Sequence, residues 1–216
     1  MVKCLNNGYI TLIEHMGGDH SVIRNARRCW RSEDKSTEKS DANLIRHLIK
    51  AGHYTPFESV CLTFDVKCPL FVARQWFRHR IGSYNEESLR YCVAERDYYI
   101  PDNLNNDLTE SQLRNMDWST NVYNWIIKNE ESFDLYEDFV LKGMPKEQAR
   151  ALLPLGTYTK FYWTVNGSSL MNFLALRMDK HAQSEIRAYA HAILHIVREV
   201  APVSFGEWDL IKGVKL

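Results

Sequence analysis

The sequence predicts an α+β fold: one domain over residues 1–216, built on a central, mainly antiparallel or mixed sheet flanked by helices. Two observations carry this. Segments with strand-like alternation and segments with helix-like spacing both occur. They are also mixed without the steady strand–helix rhythm that a parallel sheet requires. A third observation sets the scale. At 216 residues and 45% hydrophobic, the chain can bury a sizeable core.

Each element has its own reason. Residues 9–14 read as a short strand and 21–31 as a helix. Ser40 reads as the N-cap of a second helix, with Leu44, Ile45, Leu48 and Ile49 at helical spacing and Gly52 as its stop. Residues 60–67 alternate, with Val60, Leu62, Phe64 and Val66 on one face. Pro69 opens a helix that continues through Arg78. Gly82 and Asn85 mark a loop, and 89–99 read as a strand. A turn is expected at 103–107. Residues 108–141 read as helix, ended at Gly143-Met144-Pro145. A short helix follows at 146–153. Residues 157–165, rich in β-branched and aromatic side chains, read as a strand. Helices are expected at 168–177 and 182–200.

Charge and cysteine usage narrow the function. Lys plus Arg and Asp plus Glu both number 27, so the formal net charge is zero. A coat for DNA or RNA would be basic, so no nucleic-acid polymer is expected as partner. The five cysteines form no CxxC pair, which suits reduced thiols in a cytoplasm better than a disulfide framework. No signal peptide and no spanning segment is read, so no membrane partner is expected. GxGxxG and GxxxxGK[ST] are absent, so a phosphate-bearing ligand would be held by side chains. His191, His195 and Glu199 share a helical face, but two histidines at this spacing read as a half-buried helix face, and no metal is expected.

The informative segment is 74–90, with Arg74, Arg78, Arg80, Arg90 and His79 inside seventeen residues. On a continued helix, Arg74 and Arg78, and Gln75 and His79, would stack at i, i+4. Guanidinium forks suit phosphate oxygens. The pattern Arg78-His79-Arg80-x-x-Ser83-x-Asn85-x-x-Ser88-x-Arg90 resembles the signature of the flavin-dependent thymidylate synthases. The resemblance continues in His53-Tyr54-Thr55-Pro56-Phe57-Glu58, in Ala149-Arg150-Ala151, in Trp163-Thr164-Val165-Asn166, in Leu170-Met171-Asn172-Phe173 and in Leu176-Arg177 through His181-Ala182-Gln183.

The resemblance implies conversion of dUMP to dTMP, with 5,10-methylenetetrahydrofolate as carbon donor, NADPH-reduced FAD as hydride donor and tetrahydrofolate as product. It implies an α+β homotetramer with sites at subunit interfaces. By the same resemblance, Thr55, Glu58, Arg78, His79, Arg80, Ile81, Asn166, Asn172 and His181 bind FAD. Gln75, Glu86, Glu87, Ser88, Leu89, Arg90, Arg150 and Arg177 bind dUMP, with Arg177 as the catalytic residue. His53 belongs near flavin and folate. Relatives often carry Arg at the position of Ser168. Ser88 reads as a hydrogen-bonding group rather than a nucleophile, since no base accompanies it. The alternative is a flavin-binding or nucleotide- or RNA-binding protein without methyl transfer.

Overall fold

A computed structural model describes residues 1–101, 111 and 117–212. Five strands form one sheet: β1 (Val2–Cys4), β2 (Gly8–Met16), β3 (Cys61–Pro69), β4 (Ser83–Glu86) and β5 (Tyr158–Asn166). Their order is β1-β2-β3-β5-β4, and every pairing is antiparallel among the described residues. The helices are α1 (Asp19–Trp30), α2 (Glu38–Ala51), α3 (Leu70–Trp76), α4 (Trp118–Leu141), α5 (Lys146–Ala149), α6 (Gly167–Arg177), α7 (Ser184–Val200) and α8 (Pro202–Lys212). The fold class is the α+β one that the mixed periodicities predict.

The alternation read in β3 is the reason it lies at the centre. Leu62, Phe64 and Val66 are fully buried, and their register partners in β5, among them Phe161, Trp163 and Val165, are buried beside them. Their faces meet α3, α6 and α7 in one apolar core. Trp76 is its hub: completely buried, with ring centroids within 5.7 Å of Phe161, Trp163, Phe173 and Tyr189. A smaller cluster under α4 holds Ala94, Tyr98, Phe133, Tyr136 and Ala149.

Several boundaries differ from the sequence reading. α2 begins earlier, because Thr37 is its N-cap; Ser40 is the third helical residue and completes a capping box. Gly52 does stop it, at φ 72°. α3 ends at Trp76, two residues short of Arg78. The turn that replaces it closes with His79 N–H donating to the Trp76 carbonyl at 3.0 Å. Asn85 lies in a strand rather than a loop, since β4 pairs with the outer side of β5.

Residues 89–99 are not a strand. Tyr91 and Cys92 N–H groups fold back to the Ser88 carbonyl, and only Tyr98 bridges to Thr157. Side chains hold this segment instead: Arg96 binds Glu130, Asp134 and Glu137, and the Tyr136 hydroxyl accepts from Ala94 N–H. α7 starts at Ser184, not at 182. β1 and α8, unread in the sequence, complete the fold. Asp19 accepts from the N–H groups of Val203 and Ser204 at 2.8 Å, capping α8 from α1. The turn at 103–107 and the helix start at 108 lie outside the described residues.

Trp76→Ala should cost about 3–5 kcal/mol of stability, read as a lowered denaturant midpoint. An unchanged midpoint would remove Trp76 as the hub.

Candidate active site

The cationic segment sits directly on this core. Tyr84 is stacked on Trp163, at 6.2 Å and 11°. Its hydroxyl donates to the carbonyls of Trp76 (3.3 Å) and His79 (2.7 Å). The chain must pass close to β5 to make this turn, and Gly82 allows it. A Cβ there would lie 2.8 Å from Trp163 Nε1 and 3.1 Å from the Thr164 carbonyl. The i, i+4 stacking read for Arg78 and His79 is therefore not formed, yet both side chains still reach one cleft.

That cleft, of about 410 Å³, is lined by Arg78, His79, Arg80, Ile81, Ser168, Ser169, Asn172, Leu176 and Arg177. Two elements build it: the turn after α3 and one face of α6. Asn166 caps α6 by accepting from Ser169 N–H at 2.8 Å, so its side-chain oxygen serves the helix rather than lining the cleft. Three guanidinium groups and no carboxylate line the space. Arg177 donates from Nε to His79 Nε2 and from Nη2 to the Gln75 carbonyl, both at 2.9 Å. Burial lowers its pKa, but a guanidinium stays charged. Burial first, then the Arg177 charge, push His79 down to about 4.

The other residues named from the sequence fall into three groups. His53 and Thr55 line a separate cleft of about 580 Å³ with Cys29, Trp30 and Tyr54; Glu58 is exposed nearby. The 3₁₀ turn Thr55–Ser59 abuts α6, where a Cβ on Gly167 would meet the Phe57 carbonyl at 2.7 Å. Glu86 and Glu87 line a separate cleft of about 320 Å³ with Tyr9, Asp65, Lys160 and Tyr162. Glu86 accepts from the Thr159 hydroxyl at 2.7 Å. Burial raises Glu87, against the pull of Lys160.

Arg90 and Arg150 form the third group. Arg90 Nε is 3.4 Å from the Ser88 hydroxyl, and its guanidinium lies over Tyr91. Lys146, four residues before Arg150, donates to the Tyr91 carbonyl at 2.8 Å and joins the two segments. The Leu89 side chain packs on the smaller core. Gln75 Nε2 donates to Gln183 Oε1 at 2.5 Å. His181 is exposed and paired with Asp179, outside the cationic cleft. Sequence reasoning missed Ser169, Leu176 and Lys146. Helical spacing could have found the first two, which stand three before and four after Asn172.

Among the described residues no group of three or more His, Cys, Asp or Glu could hold a metal ion. No described helix is long and apolar enough to cross a membrane. All five cysteines are free.

Residues 11–203 match the family model described as thymidylate synthase complementing protein. A flavin-dependent thymidylate synthase of Thermosipho africanus is 42% identical over 98% of both chains. The chain belongs to the flavin-dependent thymidylate synthase family. Another member, from Thermotoga neapolitana, is 44% identical over 94% of this chain and 92% of its own. Family membership makes the chain an enzyme of the methyltransferase class. Among solved structures, the UMP/dUMP methylase PolB from Streptomyces cacaoi, bound with 5-Br dUMP, superposes with a TM-score of 0.88. It is 29% identical, with both chains fully covered. A second structure of PolB, bound with 5-Br UMP, gives 0.84.

Two outcomes test this geometry. Gly82→Ala should lower stability by about 1–3 kcal/mol, because the turn must leave Trp163; thermal unfolding reads it. The second concerns pH. His79 is depressed from 6.5 to about 4. Between those values the unfolded chain takes up a proton that the folded chain refuses. The stability from neutral His79 is complete above 6.5 and is lost as pH falls toward 4. His79→Gln cannot take up that proton, so its melting temperature should fall less steeply than wild type over this window. Equal slopes would contradict the assignment.

Proposed function

We propose that the chain is a working flavin-dependent thymidylate synthase that methylates dUMP to dTMP. In this reading 5,10-methylenetetrahydrofolate gives the carbon, NADPH reduces FAD, and tetrahydrofolate leaves as product. One observation carries it: Arg78, His79 and Arg80, which open the family signature, line one cleft with Arg177 and no opposing carboxylate.

The donor set fits FAD. Pyrophosphate oxygens suit Arg78 and Arg80, supported by the Ser168 and Ser169 hydroxyls at the start of α6. Ser168 adds no cation where relatives often have Arg, so Arg78 and Arg80 carry that charge. Ile81, 73% exposed, and Leu176, 55% exposed, offer an apolar rim for a flat ring. Reduced FAD supplies the hydride when bound. Thr55, Glu58, His79, Asn166, Asn172 and His181 complete the cofactor set, with His53 near folate.

For dUMP, Arg90 and Arg150 take the phosphate. Gln75, Glu86, Glu87, Ser88 and Leu89 surround the nucleoside. Arg177 holds the pyrimidine and favours ionisation at N3, which moves electron density toward C5. A group that never loses its charge suits this better than a lysine. In one chain these groups face different surfaces, which supports assembly of whole sites between copies in a homotetramer. The exposed Trp30, beside the His53 cleft, supports the same reading. Residues 1–216 act in it as one domain, in the cytoplasm.

The test is dTMP formation from dUMP, methylenetetrahydrofolate, NADPH and FAD under low oxygen, read by mass spectrometry. Product should vanish when flavin is stripped. Flavin uptake or RNA binding without product would favour the binding-protein alternative. Arg177→Ala should lower dTMP formation by at least about a hundredfold with the fold retained, and near-normal turnover would remove its role. Arg78→Ala should weaken FAD binding about tenfold or more, measured by flavin fluorescence titration.

A further inference from the structure

Arg177 reaches the cleft with two of its three nitrogens already engaged by protein. Nη2 donates to the Gln75 carbonyl and Nε to His79 Nε2. The second bond has a consequence for the imidazole. A guanidinium can only donate, so His79 Nε2 must present a lone pair. The ring proton then sits on Nδ1, and the ring is neutral.

The surroundings agree with this. The charged or titratable groups nearest the ring are Arg177 from α6, Arg78 and Arg80 beside it in the turn, and the Tyr84 hydroxyl on its carbonyl. Phe173 meets the ring edge-on at 4.8 Å. No carboxylate hydrogen-bonds to the ring among the described residues. An imidazolium would lose its acceptor role and face a guanidinium.

We infer that His79 is a positioning residue for Arg177. Its neutral, Nδ1-protonated imidazole accepts the Nε–H and, with the Gln75 carbonyl, fixes the guanidinium plane so that Nη1 is left for a bound ligand. The bond itself is independent of the activity proposed above. Its value for gripping dUMP rests on that reading.

The experiment uses the full chain with ¹⁵N-labelled histidine, without added ligand. Long-range ¹⁵N–¹H spectra should show one histidine in the Nδ1–H form, assigned by its loss in His79→Gln and unchanged from pH 7 to about 5. Arg177→Lys removes the Nε donor and should release the ring to mixed tautomers. A His79 in the Nε2–H form, or one titrating near its ordinary value, overturns the inference, whether or not the enzyme makes dTMP.

Calorimetry with dUMP on the flavin-loaded protein adds a functional arm. The Gln carbonyl can accept the Nε–H and Leu cannot. With FAD saturating both variants, His79→Leu should bind dUMP about tenfold more weakly than His79→Gln. Equal losses in both folded variants would also overturn the positioning role.

Discussion

The cationic cleft depends on the aromatic wedge around Trp76. Its ring is locked among Phe161, Trp163, Phe173 and Tyr189, so the end of α3 cannot drift. Tyr84 then reaches from β4 to bind the carbonyls of Trp76 and His79. One phenol thereby fastens both ends of the turn that carries Arg78, His79 and Arg80. The cations Arg78 and Arg80 gain a rigid base without any acid lining the cleft beside them. A salt bridge would have fixed them as well, but it would have spent their charge inside the protein.

Charge is partitioned across the molecule to suit this. Arg96 is surrounded by Glu130, Asp134 and Glu137, and Arg27 is tied to Asp41 and Ser40. Those arginines staple segments together. Arg78, Arg80 and Arg177 line a cleft without carboxylates, while Glu86 and Glu87 line a different one with Lys160. A net charge of zero thus conceals local regions of different character.

Where side-chain pattern alone decided the outcome, the sequence was readable. The alternation of Leu62, Phe64 and Val66 fits the central strand, and the helix expected at 168–177 is α6. Of the signature, Arg78, His79 and Arg80 line the cleft with Arg177 and Asn172, while Ser83, Asn85, Ser88 and Arg90 do not. The failures have tertiary causes. α3 stops early because Tyr84, eight residues beyond Trp76, takes its carbonyl. Residues 89–99 carry strand-like side chains, yet Arg96 and Ala94 are bound by α4, a partner no local pattern reveals. The ligand roles read for Asn166, His53, Thr55, Arg90 and Arg150 are a separate matter: Asn166 caps α6 with its oxygen, and the other four do not line the cationic cleft.

The strand order also bears on how the protein is made. β3 and β5 pair residues roughly a hundred positions apart, and β4 can pair only once β5 is in place. Tyr84 therefore has no stacking partner, and the arginine turn no fixed base, until most of the chain has left the ribosome. The cleft is among the last features to form during synthesis. An unfinished chain would carry its arginines on an unanchored loop, unable to hold a ligand prematurely.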